Sequence, residues 1–175
     1  MSEVHIRAAT AADMPAITAI YGAAVMGGTA SFELEPPDTA EMERRWQTVT
    51  NGGFPYLVAV QAGAVLGYAY VSQYRPRPAY RFSVENSIYV APEAHRSGVG
   101  RQLLAAVIEA ATAKGFRQMI AVIGDSGQSA SIGLHRRAGF TFVGTIHSVG
   151  YKHGRWLDSV LMQRALGPGD KAPPD

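Results

Sequence analysis

Residues 82–111 constrain the fold of this chain more than any other stretch. Phe82, Val84, Asn86, Ile88 and Val90 alternate with Ser83, Glu85, Ser87 and Tyr89, the two-residue period of a strand with two different faces. A turn at Pro92 follows, then the run HRSGVGRQLL over 95–104. Leu103, Leu104, Val107, Ile108 and Ala111 then recur at helical spacing until Lys114 and Gly115 close the helix. A strand that feeds a helix through Gly98 and Gly100 leaves main-chain N–H groups exposed at the helix mouth. The helix dipole favours an anion there, and glycine lets a phosphate approach the backbone closely. The segment predicts a pyrophosphate site in an α/β fold. It also places Glu85 in an otherwise apolar strand, on the same face as Tyr89.

The flanking sequence supplies the rest of a sheet. His5 to Ala8 reads as a strand, and Thr10 with Asp13 forms a capping box for a helix carrying Ile17, Ile20, Tyr21 and Ala24. Pro15 sits in its first turn, where a missing N–H costs least, and Gly27-Gly28 ends it. Asp38 and Glu41 open a second helix with Met42, Trp46 and Val49 as its apolar stripe, ending at Asn51-Gly52-Gly53. Strands are predicted over 56–60 and 65–72 around a hairpin signal, then over 119–123, 140–146 and 157–166, with a short helix over 129–138. The order β-α-α-β-β-β-α-β-α-β-β predicts a mixed sheet with helices on both faces.

With 175 residues, 47% hydrophobic and 17% charged, the chain has the length and composition of one globular domain. That domain is expected over 3–166, followed by a flexible tail, GPGDKAPPD, over 167–175. A formal charge of +2 with scattered Lys and Arg argues against nucleic-acid binding. The lack of cysteine excludes disulfides, thiolate metal sites and a cysteine nucleophile. No run reaches the roughly 18 apolar residues of a membrane span and no leader pattern opens the chain, so a cytoplasmic protein is expected. His147 and His153 lack a third ligand at metal spacing, and no nucleophile elbow accompanies a Ser-His-Asp order. Neither a metal nor a serine acyl-enzyme is expected.

Two familiar phosphate loops do not fit. A P-loop needs Lys and then Ser or Thr where Arg101 and Gln102 stand, and a dinucleotide fingerprint needs a third glycine where Leu103 stands. Glycines that merely open a helix are the plainest alternative. HRSGVGRQLL instead resembles the Arg/Gln-x-x-Gly-x-Gly loop of the GCN5-related N-acetyltransferase superfamily, which cradles the pyrophosphate of acetyl-CoA; His95 stands where that family prefers Gln or Arg. SGQSASIGLHRRAGF, over 126–140, is similar to the superfamily's later segment, with Gln128 in place of the usual Asn. VENSIYV, SIGLHRRAGF and GRWLDSVLMQ together resemble the phosphinothricin acetyltransferase branch, which includes enzymes for methionine sulfone and methionine sulfoximine. The likeness runs from IRAAT to about Leu166, and TASFELEPP and YRPRPAYR fall where that branch places its substrate-facing segments.

The resemblance implies an α/β (α+β) fold with a mixed, mostly antiparallel sheet, splayed at the cofactor site. It implies acetyl-CoA as co-substrate, its pantetheine arm along Ile88, Tyr89 and Val90. Arg96, Ser97, Gly98, Val99, Gly100 and Arg101 would hold the pyrophosphate, with Gln128 and Ser131 nearby. It implies Glu85 and His135 as catalytic residues, Thr29, Phe32, Arg75 and Arg81 at the substrate, and a homodimer packed through HSVGYKHGRW.

The residues suit those roles chemically. An amine attacks a thioester only when neutral, and with a reference α-amino pKa near 8 it needs a base; Glu85 is either that base or a surface carboxylate. An imidazole can donate or accept a proton near neutrality, so His135 is either an acid for the departing thiolate or a helix-face histidine bonded to backbone. Arg75, Arg77 and Arg81 offer the planar fork that a substrate carboxylate needs. The expected function is acetylation of the α-amino group of a small amino acid analogue, by direct transfer in a ternary complex. A non-catalytic acyl-CoA sensor would have no use for an amine base, and a polyamine site would be lined with carboxylates. Acetylation of a protein N-terminus is the remaining alternative.

Overall fold

The structure, a computed structural model, describes residues 3–174. Its elements run β1 (His5–Ala8), α1 (Met14–Gly27), α2 (Thr39–Asn51), β2 (Tyr56–Gln61), β3 (Ala64–Gln73), β4 (Ser83–Val90), α3 (Val99–Ala113), β5 (Gln118–Gly124), α4 (Ser129–Arg137), β6 (Thr141–Lys152) and β7 (Arg155–Ala165). The order is the one expected from sequence, because the local signals are carried out. Asp13 Oδ2 accepts from Thr10 N–H at 2.8 Å and from its hydroxyl at 3.0 Å, and Asp38 Oδ1 accepts from Glu41 N–H at 2.8 Å. Ala62 and Gly63 turn the β2–β3 hairpin with φ of 50° and 83°, the left-handed geometry of a two-residue loop.

Seven strands form one sheet in the order β1-β2-β3-β4-β5-β7-β6, antiparallel throughout except for β4 beside β5. α3 and α4 cover one face, where Leu103, Leu104 and Val107 pack on Ala69, Val84, Met119, Ala121 and Met162. α1 and α2 cover the other face over β2 to β4 only, with Ile17, Val25 and Met42 packed on Val58, Tyr68 and partly buried Tyr70 and Tyr89. On that face the β5–β7–β6 half carries no helix, and Tyr74, Tyr80, Ile120 and Leu161 line a shallow groove of about 230 Å³.

Two strands differ from expectation. β6 runs to Lys152 rather than Ile146, and β7 begins at Arg155, joined by a hairpin whose turn residues His153 and Gly154 have φ of 51° and 73°. An edge strand exposed on both faces, irregular in register between Ile146 and Gly150, has no apolar alternation to reveal it. Beyond β7, Leu166 N–H donates to Arg117 O, and the Arg117 guanidinium donates to the carbonyls of Gly169 and Pro173. No helix among the described residues is long and apolar enough to cross a membrane.

Candidate active site

Among the described strands the one parallel pair, β4 with β5, opens the candidate site. β4 and β5 are paired from Ser83–Asn86 against Gln118–Ala121 and then part, so Ser87–Tyr89 and Val122–Gly124 turn unpaired main-chain edges toward each other. A cleft of about 60 Å³ opens between them, lined by Asn86, Ser87, Ile88, Tyr89, Ala121 to Gly124, Ala30, Gln128, Ser131 and His135. It is wide enough for a slender chain, not for a nucleotide.

At the same end of the sheet, α3 begins. Its first main-chain bond runs from Gln102 N–H to Gly98 O, which leaves the amides of Gly98, Val99, Gly100 and Arg101 without helical acceptors. Gly98 takes φ 90°, and nothing lies within 4 Å of where its Cβ would be. Arg96, also at positive φ (62°), and Arg101 are exposed, Val99 is buried, and Ser97 spends its hydroxyl on Ala94 O at 2.6 Å. Gly100 abuts Val90 and Leu134, so loop, strand and α4 converge at the mouth of the cleft. His95 Nε2 donates to Val90 O at 3.0 Å, which closes the end of β4.

Consecutive residues of β4 face opposite layers. Asn86 faces α3 and α4, while Glu85 faces the α1–α2 side opposite Ser72 and Ile120. Glu85 is half-buried, and its carboxylate makes no hydrogen bond among the described residues. Burial pushes its carboxyl above the usual range, and the Arg75 guanidinium partly offsets this. Arg75 is exposed on the segment before β4, its guanidinium 5.2 Å from the Tyr74 ring centroid. Arg81 turns away, stacked over Phe82 at 4.5 Å with Nη1 donating to Pro78 O. Neither arginine lines the cleft.

The segment after α1 closes the far side. Phe32, 39% exposed, lies against Gly124 and Gly150, and a Cβ at either glycine would overlap its ring. Lys152 Nζ donates to Ser31 O at 2.8 Å, and His153 Nε2 donates to Gly28 O at 3.2 Å. Thr29 is buried; its hydroxyl accepts from Gln128 Nε2 at 2.9 Å and donates to Asp125 Oδ2, which also takes Arg155 Nη2 at 2.5 Å. Gln128 and Thr29, expected at cofactor and substrate respectively, are thus bonded to each other across 99 positions.

His135 is buried on α4, its ring edge-on to Phe140 at 5.0 Å. Nδ1 donates to Ser131 O at 2.8 Å, Nε2 lies 3.0 Å from Asn86 Nδ2, and burial lowers the imidazole pKa. Asn86 was not singled out from sequence. The signal was available: it is the one polar residue on the apolar face of its strand.

Residues 6–161 match the acetyltransferase (GNAT) domain model. The chain belongs to the GNAT acetyltransferase family. It is 54% identical over 163 residues to a phosphinothricin N-acetyltransferase of Alcaligenes faecalis, covering 93% of this chain and 83% of that one. An L-methionine sulfoximine/L-methionine sulfone acetyltransferase of Pseudomonas aeruginosa is 47% identical over 169 residues, 96% of this chain and 98% of that protein. The crystal structure of a phosphinothricin acetyltransferase from Sinorhizobium meliloti in complex with acetyl-CoA superposes with a TM-score of 0.96 at 49% identity, covering 100% of this chain and 94% of that one. The residues of this GNAT chain fit that group: an extended arm matches the unpaired β4 and β5 edges, a pyrophosphate the open amides at Gly98–Arg101, and a donor the unpartnered oxygen of Asn86.

Proposed function

We propose that this protein acetylates the α-amino group of a small amino acid with a tetrahedral polar tail, of the phosphinothricin or methionine sulfone and sulfoximine kind, using acetyl-CoA. One observation carries the reading: β4 has at one edge a cleft that fits the slender arm of the cofactor and, on its other face, a half-buried carboxylate within the field of Arg75. Acetyl-CoA, when bound, supplies an activated acyl thioester. The chain's own residues do the rest. The amides at Gly98–Arg101 hold the pyrophosphate. Donors on the open edges of Ser87–Tyr89 hold the arm as an added strand and polarise the carbonyl. Glu85, its pKa raised by burial, takes the ammonium proton directly or through one water. Arg75 receives the α-carboxylate, with Arg81 reaching it only after leaving Phe82. Phe32, with Thr29 behind it, walls the substrate side chain. His135 lies at the floor of the cleft with its Nδ1 proton committed to Ser131 O, so it orients the thioester end of the site and the departing thiolate takes its proton from water.

A homodimer and cytoplasmic residence belong to the same proposal. The uncovered half-face of the sheet and the β6–β7 hairpin expose Val122, Phe142, Val143, Ile146, Val149, Tyr151 and Trp156, more apolar surface than one chain ordinarily leaves bare. A second copy related by a two-fold axis would cover it. Sedimentation at micromolar concentration should give a dimer, and a monomer contradicts this part. The activity is tested by CoA release over a panel of phosphinothricin, methionine sulfone, methionine sulfoximine, proteinogenic amino acids, a polyamine and an N-terminal peptide. Release with the tetrahedral-tailed amino acids is expected. Acetyl-CoA binding without turnover on any of them, or turnover on the polyamine or peptide alone, overturns the reading.

A further inference from the structure

Asn86 and His135 stand 49 positions apart and meet beneath the cleft. Ser131 O can only accept, so His135 Nδ1, 2.8 Å away, carries a proton. Burial to 2% exposure opposes a second one, which leaves Nε2 a bare acceptor. Asn86 must then point its NH₂ at Nε2, and this orientation follows from the two bonds together. The consequence falls on the other end of the amide. Asn86 Oδ1 is buried with no hydrogen-bond partner, a condition shared among the described side chains only with the Trp46 indole nitrogen. Asn86 as a whole is 6% exposed and lines the cleft.

We propose that Asn86 matches the cleft to its ligand at both ends of its amide. Oδ1 accepts from an amide N–H of the pantetheine arm, and Nδ2 donates to the bare Nε2 of His135, a positioning residue with no proton there to give. The inference rests on the acetyl-CoA reading above. The donor is assigned to the cofactor because Asn86 faces α3 and α4, whereas Glu85 and Arg75 draw the amine to the opposite face of the strand. An orphan acceptor costs the free protein stability, and an arriving N–H relieves that cost.

The test uses Asn86→Leu, which removes both ends of the amide at similar volume, and Asn86→Asp, which keeps an acceptor and loses the donor. Titration calorimetry with acetyl-CoA and with adenosine 3′,5′-bisphosphate, melting without ligand, and ¹⁵N resonances of the His135 side chain are the readouts, with the amino acid KM followed separately. Asn86→Leu should bind acetyl-CoA about 10-fold more weakly. It should bind the nucleotide fragment as wild type does, melt no lower, and keep His135 in the Nδ1–H tautomer that Ser131 O fixes. Asn86→Asp should hold acetyl-CoA within about 3-fold, while its carboxylate draws a proton onto Nε2 and shifts the imidazole to the charged pattern. Equal acetyl-CoA affinity in wild type and Asn86→Leu overturns the inference alone. A rise in amino acid KM with unchanged acetyl-CoA affinity assigns the donor to the amine and overturns it as well. Wild-type protein that does not bind acetyl-CoA overturns the cofactor reading and this inference together.

Discussion

The two faces of β4 lie a strand's thickness apart and have been built for different tasks. On the α3–α4 face, Val84, Asn86 and Ile88 sit against a packed layer, and the one polar side chain is tied to His135. On the α1–α2 face, the Glu85 carboxylate has no hydrogen-bonded neighbour among the described residues and feels the charge of Arg75 and the nearby Tyr70 phenol. Packing over-determines the geometry of Asn86, whereas Glu85 is left with the room that the proposed change of protonation requires. Substitutions on the two faces should therefore separate kinetically, the Glu85 side altering kcat and amino acid use, the Asn86 and Gly100 side altering cofactor binding.

The largest effect should come from Glu85→Gln, which keeps shape and removes the proton acceptor. A fall in kcat of about 10² to 10⁴ at pH 7 is expected, with acetyl-CoA affinity unchanged. Raising the pH should recover part of the rate as solution supplies neutral amine. A folded variant with wild-type kcat across the pH range would remove Glu85 as the base. At the cofactor end, Gly100→Asp puts a carboxylate where the pyrophosphate would lie, and acetyl-CoA affinity should drop by about 10² to 10³. Unchanged affinity in calorimetry would move the anion site elsewhere.

Arg75→Ala should cost about 1.5 to 3 kcal/mol in kcat/KM for the amino acid and leave acetyl-CoA binding alone. If the loss appears only in Arg81→Ala, the carboxylate lies with Arg81. The smallest effect belongs to a control outside the cleft. Asp13 holds the α1 entry and the Arg7 guanidinium, so its carboxyl sits at about 2, below its ordinary 3.8. That stabilisation is complete above pH 3.8 and is lost as the pH falls toward 2. Asp13→Ala should destabilise by about 1 to 2 kcal/mol at pH 7, discounted for the part-exposed arginine, with kinetics unmoved. His135 adds a milder pH dependence of the same sign. Its folded pKa is depressed, so the unfolded chain takes the proton first, and stability should decline as the pH falls below 6.5. Chemical denaturation at several pH values reads both.

What was legible in the sequence is what depends on neighbours along the chain. Capping boxes, the hairpin at Ala62-Gly63, the strand period at 82–90 and the glycine loop are satisfied within a few residues. The chain's own local chemistry therefore determined the order of elements and the open amides at the mouth of α3, and family likeness pointed to Glu85, His135 and Arg75. The tertiary structure decided the rest. That β4 and β5 part after Asn86, that Gln128 binds Thr29, and that Lys152 pins Ser31 are agreements between residues 35 to 121 positions apart. β6 runs to Lys152 because it pairs with β7 through main-chain bonds that its side chains do not advertise. Asn86 is the sharpest case: as a polar residue on an apolar face it was visible, yet its meaning depends on which nitrogen of His135 bears the proton. A carbonyl on α4 settles that, because a buried hydrogen bond has only the partners that folding brings within reach.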